Sequence, residues 1–166
     1  MQDMENTKST ITIEEDTTED CSTRLSDKEV SEILKRNAIQ ICESKTDNKE
    51  TIELYKKIIE AKKGFFLGKV YVGGITAGII TDDGVVYTSS CISGESGLEV
   101  CAERVALMNA IDHGHTKFRK VMAVKESFKI VKPCGVCLEF LKQIEGDDVE
   151  VYIDFDKTVK VKDLLK

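Results

Sequence analysis

At 166 residues the chain has the length of one ordinary domain, large enough to bury a core without disulfide staples. A net charge of -6, from 24 Lys and Arg against 30 Asp and Glu, excludes a broad basic face for a nucleic acid polymer and favours a small, soluble substrate. No apolar run reaches the length of a membrane span, and residues 1–20 are polar and acidic where a secretory signal needs a basic start, so a cytoplasmic protein off the membrane is expected.

Residues 1–25 are rich in Thr, Glu and Asp and hold few large apolar side chains, so they read as a disordered acidic tail ahead of one domain at 26–166. Ser26-Asp27-Lys28-Glu29 reads as a capped helix start, followed by Val30, Ile33, Leu34, Ala38 and Ile41 near helical spacing. Ile52, Leu54, Tyr55, Ile58 and Ile59 predict a second helix that stops at Gly64. Lys69 to Ile80 and Val85 to Ser89 are β-rich runs around Asp83-Gly84, a pair suited to a tight hairpin turn. A loop from Ser90 to Leu98 then leads into a helix from Glu99 to Ile111. Val121 to Val124 predicts a strand, Cys134 to Ile144 a helix, Val149 to Phe155 a strand and Val161 to Leu165 a short last helix. Strands alternating with helices predict an α/β fold.

The chemistry is carried by Cys101-Ala102-Glu103 and Pro133-Cys134-Gly135-Val136-Cys137. Three thiols suffice for a catalytic zinc site, whose fourth position is left to water, and Glu103, two residues after the first thiol, is placed to take a proton from that water. Helix starts at both motifs favour thiolate over thiol. Pro133 suits the turn before a helix, Gly135 keeps bulk from the metal, and Cys134 and Cys137 share a helical face. Two other readings stand beside this one: a redox dithiol at Cys134 and Cys137, and a closed structural zinc site with Cys91 as fourth thiolate. Cys21 and Cys42 read as incidental thiols, His113 and His115 as caps of a helix end, and Gly73-Gly74 shows no phosphate-loop spacing.

The two motifs resemble those of the zinc-dependent cytidine deaminases, and the resemblance runs from about Gly73 to Leu165, with Ala77 to Gly84 similar to that family's first hairpin. It implies a three-layer sandwich, a central mixed sheet flanked by helices, that holds Zn²⁺ on Cys101, Cys134 and Cys137. It further implies hydrolytic deamination of cytidine or deoxycytidine with Glu103 as base and acid, Arg104 donating to the ligand sulfurs, and a homo-oligomer, commonly a tetramer. The family's sugar loop carries an Asn and a Glu where this chain has Cys91 and Ser93, with Glu95 the nearby carboxylate. Cys91, Ser93, Glu95 and Ala102 are therefore the candidate substrate contacts. Leu138-Glu139 also replaces the family's usual Arg-Gln, and the chain ends where the family continues into an aromatic tail. A blasticidin-type aminonucleoside deaminase, or a lapsed enzyme with a closed zinc site, is the alternative.

Overall fold

The computed structural model describes residues 25–33, 36, 49–145 and 147–165. Residues 1–24 of the acidic tail, with Cys21, and the positions of Leu34, Ala38, Ile41 and Cys42 lie outside them, while Leu25 packs against the core. Helix α1 covers 27–33 and opens as its sequence predicts. The Ser26 amide donates to Glu29 Oε2 at 2.8 Å while the Glu29 amide faces Ser26 Oγ at 3.4 Å, a reciprocal cap. Helix α2 (Lys49–Glu60) buries Leu54, Tyr55, Ile58 and Ile59 completely. It ends four residues before Gly64, because the chain turns there into a short strand, β1 (Phe65–Leu67), that pairs with the next.

The sheet is built on β2 (Val70–Thr81) and β3 (Val86–Ser93), the predicted hairpin. Gly84 takes φ 88 in its turn, and the Thr81 amide donates to Val85 O at 2.9 Å. With β4 (Glu99–Val100), β5 (Phe118–Lys125), β7 (Glu150–Asp154) and β8 (Lys157–Lys160) the strand order is β4-β3-β2-β5-β7-β8, and β6 (Ile130–Val131) pairs with β5. β5 and β7 run parallel and the other pairs antiparallel, so the sheet is mixed.

Residues adjacent in a strand point to opposite faces, and this alternation makes two cores. Ile80, Met122 and Tyr152 pack with α1 and α2, while Ile79, Val121 and Val151 pack with α3 (Ala102–Asp112), α4 (Gly135–Glu145) and α5 (Val161–Leu164). Helices on both faces of one sheet give three layers. Gly78 sets the depth of the first interface, since a Cβ there would stand 2.7 Å from Leu54 Cδ1.

The segment before α3 departs from expectation. β3 continues to Ser93, and a tight reversal with positive φ at Ser96 and Gly97 brings Glu99–Val100 back to pair with Ser93 and Ile92. Val100 fits a helical spacing, but that pairing claims it for a strand, so α3 starts at Ala102. β2 also carries a bulge absent from the sequence reading. Val72 pairs with Ile92 and Thr76 with Ser90, which leaves Gly73, Gly74 and Ile75 opposite Cys91 alone.

Candidate active site

Two helix starts meet beside the centre of the sheet. Cys101 is the extended residue that precedes α3, and its carbonyl accepts from the Arg104 and Val105 amides. Cys134 directly precedes α4, and its sulfur accepts from the Cys137 amide at 3.4 Å, occupying a helix-start donor as a capping side chain would. Burial raises the Cys134 thiol, but the hydrogen bonds from Cys137 and Cys101 outweigh it and leave its pKa below the ordinary value. Cys101 is pushed up, chiefly by burial. Cys137 is pushed up much further, first by burial and then by the neighbouring charge of Glu103.

The sulfurs of Cys101, Cys134 and Cys137 all lie within 4.8 Å of one another, and those of Cys101 and Cys134 are 3.7 Å apart. Tetrahedral zinc with Zn–S bonds of about 2.3 Å sets its sulfurs about 3.8 Å apart, so the trio fits that ion in spacing as well as in donor type. Zinc would displace the thiol protons on binding. A Cβ added at Gly135 would meet no atom of the chain within 4 Å, so packing does not account for the glycine.

Glu103 lies in the first turn of α3, only 5% exposed, with Oε2 3.7 Å from Cys137 Sγ. Burial raises its carboxyl above the ordinary carboxylate range. Arg104 directs Nη2 at Cys101 Sγ, 3.7 Å away, and its Nε is buried with no partner among the described residues. Ala102, between Cys101 and Glu103 in the chain, is buried in a cluster of small residues with Ala77 and Ala123, against which Ile75, Cys91 and Val131 pack.

The residues of the altered loop fall in different places. Cys91 stays outside the sulfur trio: its thiol donates to the Gly73 carbonyl and accepts from the Ile75 amide, filling the β2 bulge. Ser93 ends β3, Ala102 is fully buried, and Glu95 is exposed and pairs with Lys69 at 3.6 Å. The bulge escaped the sequence reading, although two glycines inside a β-branched run were its signal. His113 caps α3, its Nδ1 2.8 Å from Asn109 O, while His115 faces Asp83 at 3.4 Å.

Known proteins resemble this chain in sequence and in fold. Residues 46–153 match the family described as the cytidine and deoxycytidylate deaminase zinc-binding region. A cytidine deaminase of Halalkalibacterium halodurans is 31% identical over 103 residues, which cover 60% of this chain and 76% of that protein. A blasticidin-S deaminase of Bacillus cereus is 29% identical over 82 residues, covering 44% of this chain and 59% of that one. In fold, the cytidine deaminase of Mycobacterium leprae matches with a TM-score of 0.58 at 19% identity, over 68% of this chain and 94% of that one. Among the described residues no helix is long and apolar enough to cross a membrane. The chain belongs to the cytidine and deoxycytidylate deaminase zinc-binding family and is a zinc-dependent deaminase.

Proposed function

We propose that this family member hydrolyses cytidine or deoxycytidine to the uridine counterpart and ammonia, through a single domain at 26–166 with Glu103 as its proton carrier. The observation that carries the reading is the buried Glu103 carboxyl beside a three-sulfur cluster, 3.7 Å from Cys137 Sγ. Zinc, when bound, supplies a Lewis acid that lowers the pKa of water and so makes a nucleophile at neutral pH. Cys101, Cys134 and Cys137 would hold the metal, and Arg104, with Nη2 3.7 Å from the Cys101 sulfur, would steady that ligand.

The water oxygen bonds to the ring carbon that carries the exocyclic amine, and the carbon–nitrogen bond breaks as ammonia leaves. Glu103 accepts one water proton and passes it to the adjacent ring nitrogen, which keeps it in the product; it then takes the remaining proton from the new hydroxyl and passes it to the departing amine as the carbonyl forms, so it ends the cycle as it began. Its raised pKa suits both halves of that role.

Three thiolate ligands fit a reducing, cytosolic setting and a place in nucleoside salvage. Met108 and Ile111 on α3, with Val136, Phe140 and Ile144 on α4, expose large apolar side chains on neighbouring helices. That face supports assembly of like subunits, up to a tetramer. The similarity to a blasticidin-S deaminase favours a second reading, an aminonucleoside substrate. An ammonia-release screen of the zinc-loaded protein with cytosine, cytidine, deoxycytidine, their monophosphates and blasticidin S tests both. Release from cytidine or deoxycytidine supports the first, release from blasticidin S alone the second, and release from none refutes each.

A further inference from the structure

We propose that residues 10–16 of this chain lie as an added strand along the open outer edge of β3, with Ile11 and Ile13 on the face that carries α2 and the acidic residues after them at Lys62 and Lys63. The proposal is independent of which substrate the zinc site takes.

The hydrogen-bond pattern shows that the edge is open. The Thr81 amide donates to Val85 O, and bonded pairs recur at every second residue of an antiparallel ladder, so Tyr87 and Ser89 direct their backbone groups to β2. Val86, Thr88 and Ser90 direct theirs outward. β4 covers that edge at Ile92 and Ser93, and among the described residues no other strand lies beside it. The Ser90 carbonyl has the Ser89 hydroxyl at 3.4 Å, a long bond that a neighbouring strand would replace with a better one. An uncovered row of this kind is a template for one more strand.

A cavity of about 610 Å³ follows the edge, and its two sides differ. On the α2 side Val72 and Ile92, paired across β2 and β3, offer apolar side chains. On the α3 side the lining is Ser89, paired with Ala77, and Asn109. Lys62 and Lys63 add positive charge, while the charge of Glu60, also in the lining, is met by Lys56 at 3.7 Å.

The sequence holds a segment that matches each side. Thr10-Ile11-Thr12-Ile13 is an unbroken β-branched run, and strand alternation puts its isoleucines on one face and its threonines on the other. Isoleucines against Val72 and Ile92 leave the threonines toward Ser89 and Asn109. Glu14-Glu15-Asp16 then brings negative charge to the two lysines. Reach is no obstacle: Leu25 packs against the core on the α2 side, and even the crossing from β7 to β3 spans about 14 Å, whereas the chain from Asp16 to Leu25 extends to about 30 Å. A second copy docked by the same edge would instead bring its own Lys62 and Lys63 to this cavity, a meeting of like charges.

The test is residue-resolved amide exchange by NMR on the zinc-loaded full chain and on its Ile11→Asp, Ile13→Asp double variant. The Thr88 and Ser90 amides are expected to exchange at least about tenfold slower in the parent than in the variant, with the amides of β5 unchanged as a report on the fold. Lys63→Glu, at an exposed position outside the tail, is expected to speed the same two amides, and it decides the matter where the double variant disturbs β5. Exchange at Thr88 and Ser90 that is equal in parent and variants overturns the proposal and leaves the edge to a separate chain. Protection that rises with protein concentration and survives the double variant assigns the edge to a second copy and overturns it as well.

Discussion

The carboxylate of Glu103 lies 3.7 Å from the sulfur of Cys137, so the acid at the start of one helix faces the thiol at the start of the other. Neither residue could be there without the sheet between their motifs, because β5 carries the chain from the end of α3 back to the start of α4. The burial that this geometry imposes is what raises both pKa values.

Glu103→Gln keeps the shape of that side chain and removes its ability to carry a proton. We expect kcat to fall by at least about 10²–10⁴ while zinc content stays at parent level. Metal analysis alongside steady-state kinetics checks both. Near-parental turnover would remove Glu103 from the mechanism.

Cys134→Ala deletes one sulfur of the trio and also the cap on the Cys137 amide. Zinc should be lost at micromolar chelator concentrations that leave the parent loaded, and the melting temperature of the metal-loaded sample should fall toward that of the apo protein. A variant that still holds one zinc per chain would show that another group is the third ligand.

How much of this was legible depended on how local the signal was. The reciprocal Ser26–Glu29 cap, the Asp83-Gly84 turn and the spacing of Cys134 and Cys137 are set within a few residues, and the sequence displays them directly. The α/β class was read from strands alternating with helices, whereas the three layers came from the family resemblance; their physical basis is that Ile79–Ile80 and Val121–Met122 put apolar residues on both faces of their strands, as a sheet covered on both sides requires. Val100 was misread because its spacing suits a helix, while the reversal at Ser96 and Gly97 that recruits it to β4 is decided by pairing with a distant strand. The partner of Cys91 was beyond reach for the same reason. Gly73 and Ile75 come within reach of its sulfur only once β2 and β3 are paired around the bulge.

Gly78 is a position where size should matter more than chemistry. Its missing Cβ would stand 2.7 Å from Leu54 Cδ1 and 2.9 Å from Ile58 Cγ1, both on α2 and both fully buried. Gly78→Val is expected to cost about 1–3 kcal/mol by overpacking. The combination with Leu54→Ala should cost less than the sum of the two single changes, because each makes room for the other. Denaturant titrations of the four proteins check this, and strict additivity would show that the two side chains do not compete for space.

Glu50 gives stability a dependence on pH away from the metal. Its carboxylate joins α2 to β5, with Oε2 2.8 Å from Lys120 Nζ and Oε1 2.9 Å from Arg119 Nη2. The hydrogen bond from Lys120 holds its pKa below the ordinary 4.5; burial opposes this, and the charges of Lys120 and Arg119 add to the lowering. A carboxyl whose folded pKa is depressed contributes stability above its unfolded pKa and loses it as pH falls through the folded value. The parent should therefore melt higher than Glu50→Gln at about pH 7, and the gap should close progressively as pH falls below about 4.5 and through the lowered folded pKa. The half-exposed setting of the pair keeps the gap modest, and added salt should narrow it further at about pH 7. Circular dichroism melts across that range decide the matter: a gap that stays constant with pH would mean that Glu50 acts through packing and not through its charge.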